Sequence, residues 1–139
     1  QGKSELAVIM GHEVAHAVAK HGNERMTQKM AVQAVGMILS LFMSEQPAFI
    51  ENLLLQAYGM GSKMGILAYS RVHESEADKL GLILMAKAGY NPAEAVDFWQ
   101  RMAQQSDKNV PVFFSTHPSD KQRVQDLKDF MPRAKQYKK

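Results

Sequence analysis

The sequence predicts an all-α fold, a compact single domain with little or no β-structure. Apolar residues recur at helical spacing along most of the 139 residues. Capping residues, prolines and glycines divide this pattern into segments of helix length. The strand-like segment "VPVFF" contains Pro111, which is unsuited to a central strand. A chain of this length supports one hydrophobic core, so we expect a single domain over residues 1–130 and a basic C-terminal tail over residues 131–139.

The first three predicted helices cover residues 4–20, 24–44 and 47–59. Ser4 is a suitable N-cap for the first helix, and Gly22 is its expected stop. Asn23 is the expected cap of the second helix. Pro47 opens the third helix, which the glycines at positions 59 and 61 are expected to end.

The last three predicted helices cover residues 62–88, 92–105 and 119–130. Gly89 is the expected C-cap of the first of them. Asn91 and Pro92 suit the cap and the first turn of the next helix. That helix carries an apolar stripe at helical spacing, expected to face the core, which consists of Ala95, Phe98, Trp99 and Met102.

Composition excludes several classes of protein. The net charge is a mild +3, and four of the last seven residues are basic. No other basic stripe is interleaved with aromatic residues, which disfavours a nucleic-acid binder. Because the chain has no cysteine, it has no disulfide, no thiolate nucleophile and no cysteine-based zinc site. A cysteine-free chain suits oxidising and reducing compartments alike, so composition leaves the compartment open.

The longest uncharged stretch is "MAVQAVGMILSLFMS", fifteen residues from Met30 to Ser44. A membrane-spanning helix needs about twenty apolar residues. We therefore expect a core helix or a helix packed against a partner, and not an integral membrane protein. The sequence opens on Gln1 rather than methionine and shows no signal-peptide pattern, so we expect it to be a processed or trimmed fragment.

The segment "MGHEVAHAVAKHG" contains the pattern H-E-x-x-H at residues 12–16. On a helix, His12 and His16 lie within about 40° of each other, one turn apart, so both imidazoles can reach one ion. The flanking residues are apolar nearly all round the helix, which favours a buried helix. Burying these histidines would be costly unless a ligand satisfied them. Glu13 lies beside the expected metal and can take a proton from an attacking water.

A hydrolytic zinc site needs a third protein ligand. The best candidate is Glu74 in "SRVHESEADKLG". Asp78 lies one helical turn later on the same face, where a carboxylate can accept the outward N–H of a ligand histidine and fix its tautomer. Glu76 points about 200° away from Glu74 on a helix and is expected to be solvated.

Two further histidines are weaker candidates. His21 is off the expected ligand face, since the metzincin spacing H-E-x-x-H-x-x-G-x-x-H would need a histidine at position 22, which is Gly22. We expect His21 to lie at a helix C-terminus, where a protonated histidine is favourable. His73 lies about 100° round the helix from Glu74, and we expect no direct role for it.

Four segments together resemble the HtpX/BepA/CAAX-prenyl-protease family of gluzincin metallopeptidases, and most of all its soluble, BepA-like periplasmic branch. They are "GHEVAHAVAKHGNER", "SRVHESEADKLG", "AGYNPAEAVDFWQRM" and "STHPSDKQRVQDL". The resemblance implies a zincin-type helical core with one Zn²⁺ on His12, His16 and Glu74, and Glu13 as catalytic base. It also implies Asp78 as the residue that orients a ligand histidine.

The late motif S-x-H-P-x-x-x-x-R, with His117, Pro118 and Arg123, completes the resemblance. It implies that His117 lies near the metal, where it either fills the fourth zinc position or assists the oxyanion. Arg123 would support the site from behind the ligands, although an acidic neighbour on its own helix, Asp120 or Asp126, is an equally good partner. Residues 43–63 match a segment that lies over the active site in the family, so a mobile lid and an ordinary helical hairpin both remain open.

The sequence thus predicts a zinc metalloendopeptidase of envelope protein quality control, with misfolded or membrane-associated proteins and peptides as substrates. The alternative hypothesis is a latched zinc protein that acts as a chaperone-like assembly factor. A periplasmic or cell-envelope location, with a lipid anchor in the full-length protein, follows from the resemblance alone. The family's N-terminal substrate-binding strand and the C-terminal repeat domain of the BepA-like branch have no counterpart in these 139 residues. Oligomeric state is left open.

Overall fold

The structure is a computed structural model that describes residues 2–105, 117 and 121–138. The described residues form five helices, α1 to α5, and no strand, which confirms the all-α prediction. The "VPVFF" segment lies outside the described residues. The helices are α1 (Gly2–Val18), α2 (His21–Met43), α3 (Ala48–Lys87), α4 (Ala93–Gln105) and α5 (Lys121–Lys135).

The chain divides into two compact units, which we describe separately. The first unit comprises Gln1–Ala19 and His73–Lys139, and it contains α1, the last part of α3, α4 and α5. The second unit is Lys20–Val72, and it contains α2 and the first part of α3. The 40-residue α3 therefore contributes to both units.

The predicted break between the third and fourth helices is wrong, because α3 runs unbroken through Gly59 and Gly61. A glycine in a helix interior costs only about 1 kcal/mol relative to alanine, which so long a helix tolerates. A glycine stops a helix when it adopts the left-handed conformation. Gly89 does so, with a φ of 85°, and α3 ends two residues before it, as predicted.

The junction between α1 and α2 also differs from the prediction. The left-handed residue is Lys20, with a φ of 59°, and not Gly22. α2 begins at His21, so His21 opens a helix instead of ending one. The prediction that His21 lies at a helix C-terminus, where a protonated histidine is favourable, is therefore wrong.

The hydrophobic core of the first unit lies between α1, α3, α4 and α5. The predicted stripe of α4 is confirmed: Ala95, Phe98 and Trp99 are buried, and Met102 packs against them. α5 ends five residues later than predicted, since Met131 and Ala134 continue its buried face. The other core members are Val8, Leu82, Met85 and Leu127.

Only one face of α1 is buried, so the prediction of a helix buried on all sides is wrong. Its buried residues are Val8, Gly11, His12 and Ala15. The opposite face exposes large apolar side chains, among which Val18 is 67% exposed. The apolar character of α1 therefore exceeds what the core of this unit covers.

Two glycines fix the crossing of α1 over α3. A Cβ added to Gly11 would lie 3.1 Å from the carbonyl oxygen of Gly81, and a Cβ added to Gly81 would lie 3.2 Å from the carbonyl carbon of Gly11. Backbone atoms cannot move aside as a flexible side chain can, so the two helices approach this closely only because both residues are glycine. The crossing brings the residues next to Gly11 onto the face of α3 that carries Glu74 and Asp78.

The second unit is a hairpin of two long helices. The hydroxyl of Tyr58 on α3 donates a hydrogen bond to the carbonyl oxygen of Val32 on α2, at 2.7 Å. Gly36 leaves room for the same tyrosine ring. Residues 43–63 lie in this hairpin, at the end of α2, the turn and the start of α3.

α2 is long and apolar enough to cross a membrane, by length and composition only. None of the apolar stretch of α2 is buried by the described residues. The core-helix interpretation of Met30–Ser44 is therefore wrong. The other interpretation, a helix packed against a partner, remains a prediction.

Candidate metal centre

Three separate parts of the first unit supply the polar groups of the candidate site. α1 contributes His12 and His16, which face the same side one turn apart. α3 contributes Glu74 and Asp78, which are both buried although they carry charge. His117 comes from the segment before α5. The two predicted motifs and the predicted loop histidine therefore lie together.

Four side chains form the group that could hold an ion: His12, His16, Glu74 and His117. Each offers one ligand atom, and the four atoms lie within 4.8 Å of one another. The Nε2 atoms of His12 and His16 are 3.0 Å apart, and they lie 3.2 and 3.3 Å from the two carboxylate oxygens of Glu74. Nδ1 of His117 lies 3.3 Å from Nε2 of His12 and 3.0 Å from Oε1 of Glu74.

These spacings fit a tetrahedral ion. Ligand atoms about 2.05 Å from a tetrahedral zinc are about 3.3 Å from one another, close to the 3.0 to 3.3 Å separations between His12 and His16 and from each of them to an oxygen of Glu74. The donor set, three imidazole nitrogens and one carboxylate oxygen, is one that zinc accepts. The residues present therefore fit the metal that the motifs imply.

Glu13 lies at the rim of this group and not within it. Its side chain is about half exposed, and Oε1 lies 3.3 Å from Nε2 of His117. His117 thus presents Nδ1 to the ligand atoms and Nε2 to Glu13. This arrangement leaves Glu13 beside the site, where a base acting on a water could reach it.

Asp78 holds His12 from the side opposite the ligand atoms. Nδ1 of His12 lies 2.9 Å from Oδ1 of Asp78, so the imidazole N–H at Nδ1 donates to this carboxylate. That hydrogen bond leaves the lone pair of Nε2 directed at the site. The structure thus places Asp78 where the sequence predicted a residue that orients a ligand histidine.

Arg123 completes a buried ion pair with Asp78. Its Nε and Nη2 donate to the two oxygens of Asp78 at 2.5 and 2.6 Å, and Nη1 lies 3.6 Å from Oε2 of Glu74. Arg123 thus pairs with Asp78 on α3, and the side chain of Gln122 donates to Asp126. Asp120 lies outside the described residues.

Trp99 is a part of the site that the sequence did not reveal. The guanidinium carbon of Arg123 lies 3.5 Å from the centroid of the Trp99 ring, a cation–π contact. The ring also meets His12 edge-on, at a centroid distance of 5.9 Å. The helical pattern correctly placed Trp99 in the core, but periodicity carries no signal that a core aromatic supports an arginine.

The protonation of the site follows from burial and hydrogen bonding. Burial by itself lowers the pKa of His12, but hydrogen bonds to Asp78 and Glu74 outweigh burial and raise it above its ordinary value. Burial by itself raises the pKa of Glu74, but hydrogen bonds from His117, His12 and His16 hold it well below its usual range. Glu74 is therefore anionic, as a ligand must be, and metal binding at His12 competes with a proton.

The remaining candidates lie outside the group of four. His21 is buried but belongs to the second unit, and His73 is buried next to Glu74 without joining the ligand atoms. Glu76 is exposed, as predicted. Pro118, which belongs to the late motif, lies outside the described residues.

Comparisons with known proteins agree with this geometry. Mitochondrial metalloendopeptidase OMA1 of Schizosaccharomyces pombe is 35% identical over 138 residues, which cover 96% of this chain and 38% of that protein. Human mitochondrial metalloendopeptidase OMA1 is 35% identical, over 94% of this chain and 26% of its own length. The putative beta-barrel assembly-enhancing protease of Vibrio cholerae is 30% identical, over 99% of this chain and 29% of its own length.

The chain thus spans well under half the length of these curated relatives. No solved structure gives a significant match. The family model described as Peptidase family M48 matches residues 1–131, nearly the whole chain. The resemblance found in the motifs is confirmed, and the chain belongs to peptidase family M48.

Proposed function

We propose that this protein is a zinc-dependent endopeptidase in which His12, His16 and Glu74 hold the metal. The observation that carries the proposal is the spacing of these ligand atoms, 3.0 to 3.3 Å, which is that of a tetrahedral zinc site. Zinc would supply Lewis acidity, which activates a water and polarises the scissile carbonyl. Membership of a metallopeptidase family supports the same reaction.

The protein's own residues divide the work of hydrolysis. Glu13, half exposed at the rim of the site, takes the proton of the attacking water and delivers it to the leaving amine. Asp78 keeps Nε2 of His12 directed at the metal through its bond to Nδ1. Arg123 holds Asp78 in place with two hydrogen bonds.

The test of the metal assignment is Glu74→Gln, with Glu76→Gln as its matched control on the same helix. Glu74→Gln removes the charged ligand, so we expect it to lose bound zinc and the cleavage of an unfolded protein substrate. Glu76 is exposed, and its variant is expected to keep one zinc per chain and full cleavage. Zinc content by elemental analysis and substrate cleavage are measured on the same samples. Full zinc occupancy in Glu74→Gln would refute the ligand assignment.

We further propose that His117 closes the resting site by filling its fourth position. Nδ1 of His117 lies among the ligand atoms, 3.0 Å from Oε1 of Glu74, and its Nε2 contacts the proposed base Glu13. A closed site cannot admit a substrate carbonyl. Only the fraction of molecules with His117 displaced would be active.

His117→Ala is therefore expected to raise kcat/KM for an unfolded substrate. A site closed in nine molecules of ten would gain about tenfold. The comparison is made at saturating zinc, with Gln122→Ala, an exposed change on α5, as control. A fall in kcat/KM with zinc retained would instead make His117 a group that stabilises the oxyanion.

The substrates that we propose are misfolded or membrane-associated proteins, in quality control of the cell envelope. The name of the Vibrio cholerae relative, a putative beta-barrel assembly-enhancing protease, supports an envelope role. The yeast and human relatives are named mitochondrial. In a eukaryotic cell, we propose the mitochondrion as the location that corresponds to the bacterial cell envelope. The site itself, with a catalytic base at its rim, favours peptide hydrolysis over a purely chaperone-like function.

A further inference from the structure

The second unit, which we call the hairpin (Lys20–Val72), has no hydrophobic core. Every apolar side chain within it is exposed or partly exposed, and its single buried residue is His21. Several large apolar side chains are mostly exposed: Leu41 is 75% exposed, Phe42 79% and Phe49 78%. Contacts such as that of Tyr58 with Val32 join the two helices without covering these residues. Exposure of this much apolar surface to water is unfavourable for a pair of helices without a core.

The exposed apolar side chains of α2 lie on the half of the helix that faces away from α3. Met37, Ile38, Leu41 and Phe42 are all more than half exposed, and at about 100° per residue they span an arc of about 140°. The first part of α3 also exposes large apolar side chains, such as Phe49, so both helices of the hairpin present apolar surface. A lipid bilayer covers the apolar surface of both helices at once.

Charged residues border an apolar band of the hairpin at both of its ends. From position 30 to position 62, the only charged residues are Glu45 and Glu51, in the turn and in the first turn of α3. Lys29 and Lys63 border the band at the other end. They lie at the same level, because a cavity lined by Ala31 and Val32 of α2 is also lined by Gly61 and Ser62 of α3.

We infer that the hairpin inserts into a lipid bilayer, with its basic end at anionic headgroups. The uncharged part of α2, residues 30–43, is about 21 Å long at 1.5 Å per residue. The hydrocarbon core is about 30 Å thick, and lysine side chains that extend towards the interface, together with local thinning, bridge the difference. Lys20, Arg25, Lys29, Lys63 and Arg71 supply the positive charge that anionic headgroups attract.

Vesicle flotation tests this inference with the full 139-residue chain. Vesicles of phosphatidylcholine with about one third phosphatidylglycerol, an anionic lipid, are compared with phosphatidylcholine alone. We expect the protein to float with the vesicles, with a larger bound fraction on the anionic ones. The double variant Leu41→Glu/Phe42→Glu is expected to stay at the bottom of the gradient. The matched control Leu6→Glu/Val18→Glu changes two comparably exposed apolar residues of α1, 59% and 67% exposed, and is expected to float.

Zinc content separates a failure of binding from a failure of folding. The metal centre lies in the first unit, so a folded hairpin variant keeps one zinc per chain. Flotation of Leu41→Glu/Phe42→Glu at the wild-type level would overturn the inference. A wild-type protein that stays at the bottom would overturn it too, and a dimer that this double variant dissociates would assign the surface to a second copy.

A single-cysteine variant provides a measurement that needs no disruptive substitution. Because the chain has no cysteine, Phe42→Cys can be labelled at one place with a polarity-sensitive fluorophore. We expect a blue shift on vesicles and quenching by lipids brominated on their acyl chains. The same label at Leu6→Cys is expected to report water throughout. Equal spectra at the two positions would contradict insertion of the hairpin.

Discussion

Glu13→Gln is expected to abolish cleavage of an unfolded protein while leaving zinc in place. Glutamine is nearly isosteric with glutamate but cannot accept the proton of the attacking water. Loss of a general base costs about 10²- to 10⁴-fold in rate. Glu13 lies at the rim of the site, 3.3 Å from Nε2 of His117, and outside the four residues whose ligand atoms cluster. The metal content of the variant should therefore equal that of the wild type.

The measurement pairs kcat/KM with elemental analysis of the same sample. Glu5→Gln is the control, because Glu5 lies on the same helix and its partner is the exposed Arg101. We expect Glu5→Gln to cleave at the wild-type rate. Cleavage by Glu13→Gln within threefold of the wild type would exclude Glu13 as the base. Loss of zinc from this variant would instead make Glu13 a ligand.

Arg123→Met is expected to produce the largest loss of stability in the first unit. The Arg123 side chain is 5% exposed and that of its partner Asp78 is 4% exposed, so the substitution leaves a buried carboxylate without its guanidinium. Breaking one partner of a buried pair costs about 3–5 kcal/mol. The cation–π contact with Trp99 is lost with it.

The free energy of unfolding, from urea titration with a fluorescence readout, measures this cost. The control is Arg101→Met, which breaks the half-exposed pair with Glu5 and should cost less than about 1 kcal/mol. Arg123→Lys keeps the charge without the two-pronged geometry and should recover only part of the loss. Equal effects of Arg123→Met and Arg101→Met would show that the buried pair contributes little to stability.

The candidate site was largely predictable because its residues follow helical spacing. Four-residue intervals place His12 with His16, and Glu74 with Asp78, on single helix faces. The partner of Arg123 was not predictable in this way, since Asp78 lies 45 residues away. Local spacing offered Asp126 as an equal candidate, and only packing of α5 against the rest of the unit decides between them.

Helix continuity and burial were harder to predict from the sequence than the site residues were. Gly59 and Gly61 suggest a helix end, but a glycine ends a helix only where the chain turns left-handed, and neither residue does so. The apolar stretch of α2 indicates that something covers it, and periodicity cannot say whether the cover is this chain. In the structure, the described residues bury no part of the apolar stretch of α2.

The paired glycines of α1 and α3 bear on how the protein can evolve. Gly11 and Gly81 touch main chain to main chain, so every replacement at either position inserts at least a methyl group between the helices. Side chains elsewhere in the core can be exchanged as long as their volume is conserved. Sequence drift can therefore alter the stability of this unit while the distance between its ligand-bearing helices is inherited unchanged.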